Sequence, residues 1–137
     1  MAPGQAQKEP FINHALSLVD ALIQNVVVDS LDTPPTNPED GTLYRVLENA
    51  TNEWLNHDEE IAIWLGEAWE FISPANGMMI FDQMAGMQLR YYGNWQAAVE
   101  PAAPSGGTTI DTEARATIDS LIEALRNAGI FEKVSTP

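Results

Sequence analysis

The chain has 137 residues, 20 of them acidic and six basic, for a net charge of −14 and a pI near 4.1. That balance argues against nucleic acid as a partner, because phosphate contacts need clustered Lys and Arg. It carries no cysteine, which removes disulfide and thiolate chemistry, and no run is long and apolar enough to span a bilayer. The opening residues lack the basic-then-apolar order of a secretory signal, so the expectation is a chain made in the cytosol that stays soluble. Hydrophobic residues make up 45%, enough to fill the core of one modest domain with an appendage.

In chain order, the first element predicted is a helix from about Glu9 to Gln24. Ile12, Ala15, Leu16, Val19, Leu22, Ile23 and Val26 recur at helical spacing, with Asn13, Ser17, Asp20 and Gln24 off that stripe. The β-branched run Val26–Val28 starts a strand. Asp32 to Gly41 contains Pro34, Pro35, Pro38 and a closing Asp-Gly pair, and reads as a loop. Short strands are predicted at Thr42–Val46, Ile61–Leu65, Ala68–Ile72, Met78–Phe81 and Met87–Tyr92. Gly66 and Gly93 each open a two-residue hairpin loop, the signature of a type II′ turn. On that register Trp64 faces Trp69 and Tyr92 faces Trp95. The two Gly-centred aromatic units suggest a weak internal duplication.

Glu100 to Gly107 is rich in Pro and Gly and reads as a linker. Beyond it, Asp111 caps a helix with Glu113 in its first turn. Ile110, Ala114, Ile118, Leu121, Ile122, Leu125 and Ala128 fall on one face. Arg126 sits in the last turn, Gly129 stands where a left-handed residue stops a helix, and Ile130 is placed to meet Leu125. A helix this short is marginal alone in water. Its stripe must be covered by the body or by other copies of the chain. The fold class expected is α+β: an N-terminal helix, a small antiparallel β-meander, a linker, and a C-terminal helix for oligomerisation or docking. The divisions are 1–99, 100–109 and 110–137.

Trp64, Trp69, Tyr92 and Trp95 are the candidate glycan-stacking residues, because a flat ring packs on the apolar face of a pyranose; Glu67 and Glu70 are the nearby acceptors. The competing reading is plain hairpin stabilisation. Asp58-Glu59-Glu60 after His57 has no calcium-loop or His-pair spacing and reads as a solvated loop. His14 and His57 read as structural. No hydrolase elbow, phosphate loop or dinucleotide fingerprint is present, and no carboxylate pair stands out for glycoside chemistry. Met78, Met79, Met84 and Met87 suit a core or a subunit contact. No catalytic residue, cofactor or metal is expected.

Gly4-Gln-Ala-Gln-Lys-Glu9 and the following Asn13–Leu22 helix resemble a domain of unknown function found in tailed phages and alphaproteobacterial gene transfer agents. The resemblance continues through Pro34-Pro35, Asp40-Gly41, Trp54, Ile61–Trp64, Trp69–Pro74 and Gly77, reaching about Trp95. Asp119–Gly129 is similar to an ending of phage head-fibre and small fibre proteins. The resemblance implies a non-enzymatic virion protein, a component of a head spike or fibre decorating a capsid vertex. It implies partners among other virion proteins such as the capsid, and contact with host surface polysaccharide. A tail-fibre adaptor and a stand-alone carbohydrate-binding module are the alternatives. A homo-oligomer is expected, trimer or pentamer, with Ile118, Leu121, Ile122 and Leu125 lining the shared seam. Neither nucleic acid nor membrane is expected as a partner.

Overall fold

The computed structural model describes residues 8–103, 105–109 and 111–132, with backbone alone for residues 8–10. Gly4–Gln7 of the opening hexapeptide, Pro104 of the linker and Ile110 of the C-terminal stripe lie outside the described residues. Helix α1 spans Lys8–Gln24. It stops at Asn25, which takes a left-handed φ of +47° and whose carbonyl accepts from the backbone N–H of Phe81. Asn tolerates that conformation better than any other side-chain-bearing residue, so it can replace the usual glycine stop.

Among the described residues eight strands follow: β1 (Val26–Val27), β2 (Asp29–Leu31), β3 (Leu43–Val46), β4 (Ile61–Leu65), β5 (Ala68–Ile72), β6 (Met79–Asp82), β7 (Met87–Tyr91) and β8 (Trp95–Ala97). Helix α2 (Thr112–Asn127) comes after them. The class is α+β, as the sequence predicts. Instead of a single meander, however, the strands form two four-stranded sheets, ordered β1-β6-β7-β8 and β2-β3-β4-β5. Each sheet is a three-stranded antiparallel meander with one parallel strand added at its edge. Gly66 and Gly93 join the second and third strands of their respective meanders. The duplication suggested by sequence is thus matched in topology.

The main core brings together residues of both sheets and α1: Ala21, Val27, Leu43, Ile61, Ile63, Ile80, Leu89 and Trp95. Side chains alternate across a strand. Tyr44, Val46 and Ala62 therefore point the other way and build a second cluster with Ala50 and Trp54. A polar bridge links the sheets beside the main core. Ser30 Oγ donates to Asp82 Oδ2 at 2.5 Å and accepts from Arg45 Nε at 2.9 Å. Asp82 is 3% exposed, and its other oxygen accepts from Ala85 N–H at 2.9 Å. Burial pushes the Arg45 guanidinium below its ordinary value, opposed by the Glu59 and Asp82 charges.

Helix α2 begins and ends as its sequence predicts. Asp111 Oδ1 accepts from Ala114 N–H at 2.8 Å. Gly129 N–H donates to Arg126 O and Ile130 N–H to Leu125 O, the paired bonds of a Schellman stop. The helix end is seated on its own body. Gln88 N–H donates to Gly129 O at 2.7 Å, and Ile122 and Phe131 are buried. Arg126 binds Glu100 in the linker and Glu123 one turn back, which raises its pKa. Among the described residues, no helix is long and apolar enough to cross a membrane.

Candidate functional site

A cleft of about 910 Å³ lies on the outer face of the β2-β3-β4-β5 sheet. One wall is the β4–β5 hairpin, which presents Trp64, Trp69 and Phe71. The opposite wall is the proline loop, with Pro34, Pro35, Thr36 and Pro38, and Asn52 and Glu53 close one end. Both ends of the proline loop are tied down. Asp40 Oδ1 accepts from Gly66 N–H at 2.9 Å, and Gly41 N–H donates to Trp64 O at 2.7 Å. At the other end Thr51 N–H donates to Asp32 O at 2.8 Å, and the hydroxyls of Thr33 and Thr51 bond at 2.8 Å. Three prolines between two anchors leave this wall little freedom.

The indoles are held by aromatic contacts rather than by the cleft itself. Trp64 and Trp69 are register partners, and their rings meet edge-to-face at 5.0 Å. Trp69 also stands edge-on to Trp54 at 5.0 Å and to Tyr44 at 5.9 Å. Trp54 is fully buried beneath them. Both cleft indoles stay half-exposed, so ring surface backed by a packed cluster faces solvent. Glu53 and Glu67 lie on the cleft margin. The arrangement offers flat apolar surface flanked by carboxylate acceptors, the chemistry that holds a sugar or another planar, hydroxyl-bearing ligand.

The four stacking candidates are not brought together. Trp64 and Trp69 line the cleft, whereas Tyr92 and Trp95 belong to the other sheet's β7–β8 hairpin. Tyr92 does not face Trp95. The β7–β8 loop takes three residues, Tyr92, Gly93 and Asn94, so Tyr91 is the partner of Trp95, with rings 5.2 Å apart. Trp95 is 8% exposed and its indole N–H donates to Glu59 O at 2.8 Å. It holds the fold together, while Tyr92 is exposed. The first hairpin also differs in type. Gly66 (φ +55°) and Glu67 (φ +68°) both take left-handed φ values, which makes the turn type I′. Glu70, the second acceptor expected, alternates to the face opposite Trp69 and does not line the cleft. Glu53 and Asn52 take that place. Nothing near them in sequence announces it, because the loop that carries them returns to the cleft only in three dimensions.

The acidic run is absorbed by the fold. Asp58 Oδ1 accepts from Ala50 N–H and Glu59 Oε2 from Trp95 N–H. Glu60 accepts from Ser73 Oγ and pairs with His57 Nδ1 at 2.7 Å. The His57 ring stacks on Phe71 at 3.5 Å. One ring nitrogen and one ring face of His57 are thus engaged within the fold. Among the described residues no group of three or more His, Asp or Glu side chains is placed to hold a metal ion.

The oligomerisation candidates are divided in the same way. Ile122 is 6% exposed and covered by its own chain, and Leu125 is half-buried. Ile118 and Leu121 remain exposed. Helix α1 behaves differently: Ile12, Leu16, Val19 and Ile23, four members of its stripe, are turned to solvent.

A family model described as Protein of unknown function (DUF2793) matches residues 12–96, more than half of the chain. The chain belongs to that family. The match runs from α1 to β8, so it takes in the cleft and both sheets and leaves α2 outside. No curated protein matches the chain.

Proposed function

We propose that this chain is a non-enzymatic virion structural protein, a homo-oligomeric component of a head spike or fibre on a tailed phage or gene transfer agent. The observation that carries the reading is the state of the two flanking helices. Beside the β body, α1 leaves Phe11, Ile12, Leu16, Val19 and Ile23 in solvent, and α2 leaves Ile118 and Leu121. Apolar faces of this kind mark a surface that another molecule covers. A small body carrying two such helices suits a protein that works in an assembly. The likeness of its opening residues and of Asp119–Gly129 to phage proteins supplies the setting.

The reading is tested on particles purified from cells that encode this chain, by mass spectrometry and labelling with an antibody against the body. Recovery in stoichiometric amount, with label at capsid vertices, is the expected result. Particles that lack the chain would overturn it, and label confined to the tail would favour the adaptor alternative.

The Trp64–Trp69 cleft favours a second reading, in which the body binds host surface polysaccharide, on a particle or as a stand-alone carbohydrate-binding module. Binding of capsule or lipopolysaccharide glycans that is lost in Trp64→Ala and kept in Tyr92→Ala is the expected pattern. Loss in both variants, or no binding by the folded wild type, would remove this reading.

A further inference from the structure

Helix α1 shows two faces. Leu18 packs against the main core and Ala21 is buried in it. On the opposite side, Ile12, Leu16, Val19 and Ile23 are 56%, 60%, 52% and 74% exposed. Their spacing alternates four, three and four residues. That is an a/d heptad seam, narrower than the apolar face of a helix lying on a globular body. Every residue from Phe11 to Leu16 is exposed, so the first half of the helix projects beyond the body. Two turns projecting alone into water are not a stable helix.

Three features of the seam identify what covers it. Its d positions, Ile12 and Val19, are β-branched, and its a positions are Leu16 and Ile23. β-Branched residues at d disfavour the two-stranded coiled coil and favour higher states. From Ile12 to Ile23 the charges of the helix lie off the seam, and none stands at an a or d position. The helix holds Glu9, Asp20 and Lys8, and its g position Ala15 would meet Asp20 of a neighbour without like-charge conflict. A lipid surface fits poorly, because the polar side of α1 carries Asn13, His14, Ser17, Asp20 and Gln24, where interfacial helices carry Lys and Arg.

We propose that α1 is a trimerisation seam, in which three copies of this chain associate in parallel through Ile12, Leu16, Val19 and Ile23. The parallel arrangement follows from closed three-fold symmetry. The proposal deepens the preceding reading, since it rests on a homo-oligomer and assigns the assembly to α1.

Sedimentation equilibrium across a dilution series tests it on the full chain. The expected mass is three times the 15.0 kDa of one chain. Leu16→Asp combined with Val19→Asp should give a single-chain mass with unchanged near-ultraviolet circular dichroism, and Leu121→Asp should leave the trimer intact. The chain has no native cysteine, so Ile12→Cys should form disulfide-linked pairs on oxidation, because only a parallel seam brings the same residue of neighbouring copies together. A wild-type mass of one, two or four chains overturns the proposal. So does a trimer that survives the double substitution, a trimer lost in Leu121→Asp, or an Ile12→Cys variant that fails to cross-link. A monomer recovered on particles overturns the seam and leaves the virion reading standing; a trimer missing from particles does the reverse.

Discussion

Gly129 lies so close to Phe81 that a Cβ built on it would stand 2.9 Å from Phe81 Cε2. The same glycine has φ +72° and gives its carbonyl to Gln88 N–H. Helix stop and docking contact therefore fall on one residue. Gly129→Ala should lower stability by about 1–3 kcal/mol, combining left-handed strain with the clash. Chemical denaturation measures the loss, and hydrogen exchange should show the Gln88 amide losing protection first.

Asp82→Ala removes the acceptor at the centre of the bridge between the sheets. Ser30 Oγ and Ala85 N–H lose their partner, and Arg45 loses a nearby opposite charge. A loss of about 2–4 kcal/mol is expected in urea denaturation, since buried polar groups left unpaired cost more than the bond contributed.

Glu67 occupies the second position of a type I′ turn with φ +68°. A side chain with a Cβ is strained there, and glycine is not. Glu67→Gly should raise stability by about 0.5 kcal/mol, the strain relief partly offset by chain entropy. A rise in the urea midpoint with unchanged slope is the signature.

Glu113 carries the pH dependence that the first turn of α2 should show. Its carboxyl is held below its ordinary value by its own backbone N–H and then by the Thr112 hydroxyl, which donates to Oε2 at 2.9 Å. A depressed carboxylate stabilises the folded state above its unfolded pKa, and that contribution fades as pH falls through the folded pKa. The wild type should therefore melt above Glu113→Gln at neutral pH, and the gap should close in acid.

Local signals made much of this fold legible. Alternation bounded by Gly66 marks Ile61–Leu65 and Ala68–Ile72, the two strands found. Asp111, Gly129 and the spacing between them mark α2, because caps are written in single residues. What sequence hides is pairing at a distance. Nothing in Val26–Leu31 says that it will lie parallel to both Phe81–Asp82 and Tyr44–Val46. The candidate site was half legible for a related reason. Trp64 and Trp69 are neighbours across a short turn, but one extra residue in the Tyr92–Asn94 loop shifts the register and sends Trp95 inward. Periodicity also marks an apolar stripe on α1 without saying whether it faces the body or the solvent.

The short run from Val26 to Leu31 gives its first two residues to one sheet and its last three to the other, with Val28 between them donating its N–H to Leu43 O. The two meanders look like separable copies, yet neither owns a complete edge without this shared segment. Peeling it from one sheet strips backbone partners from the other as well. The repeats should therefore melt in a single transition, and a chain cut at Val28 should yield two fragments that fold only when mixed.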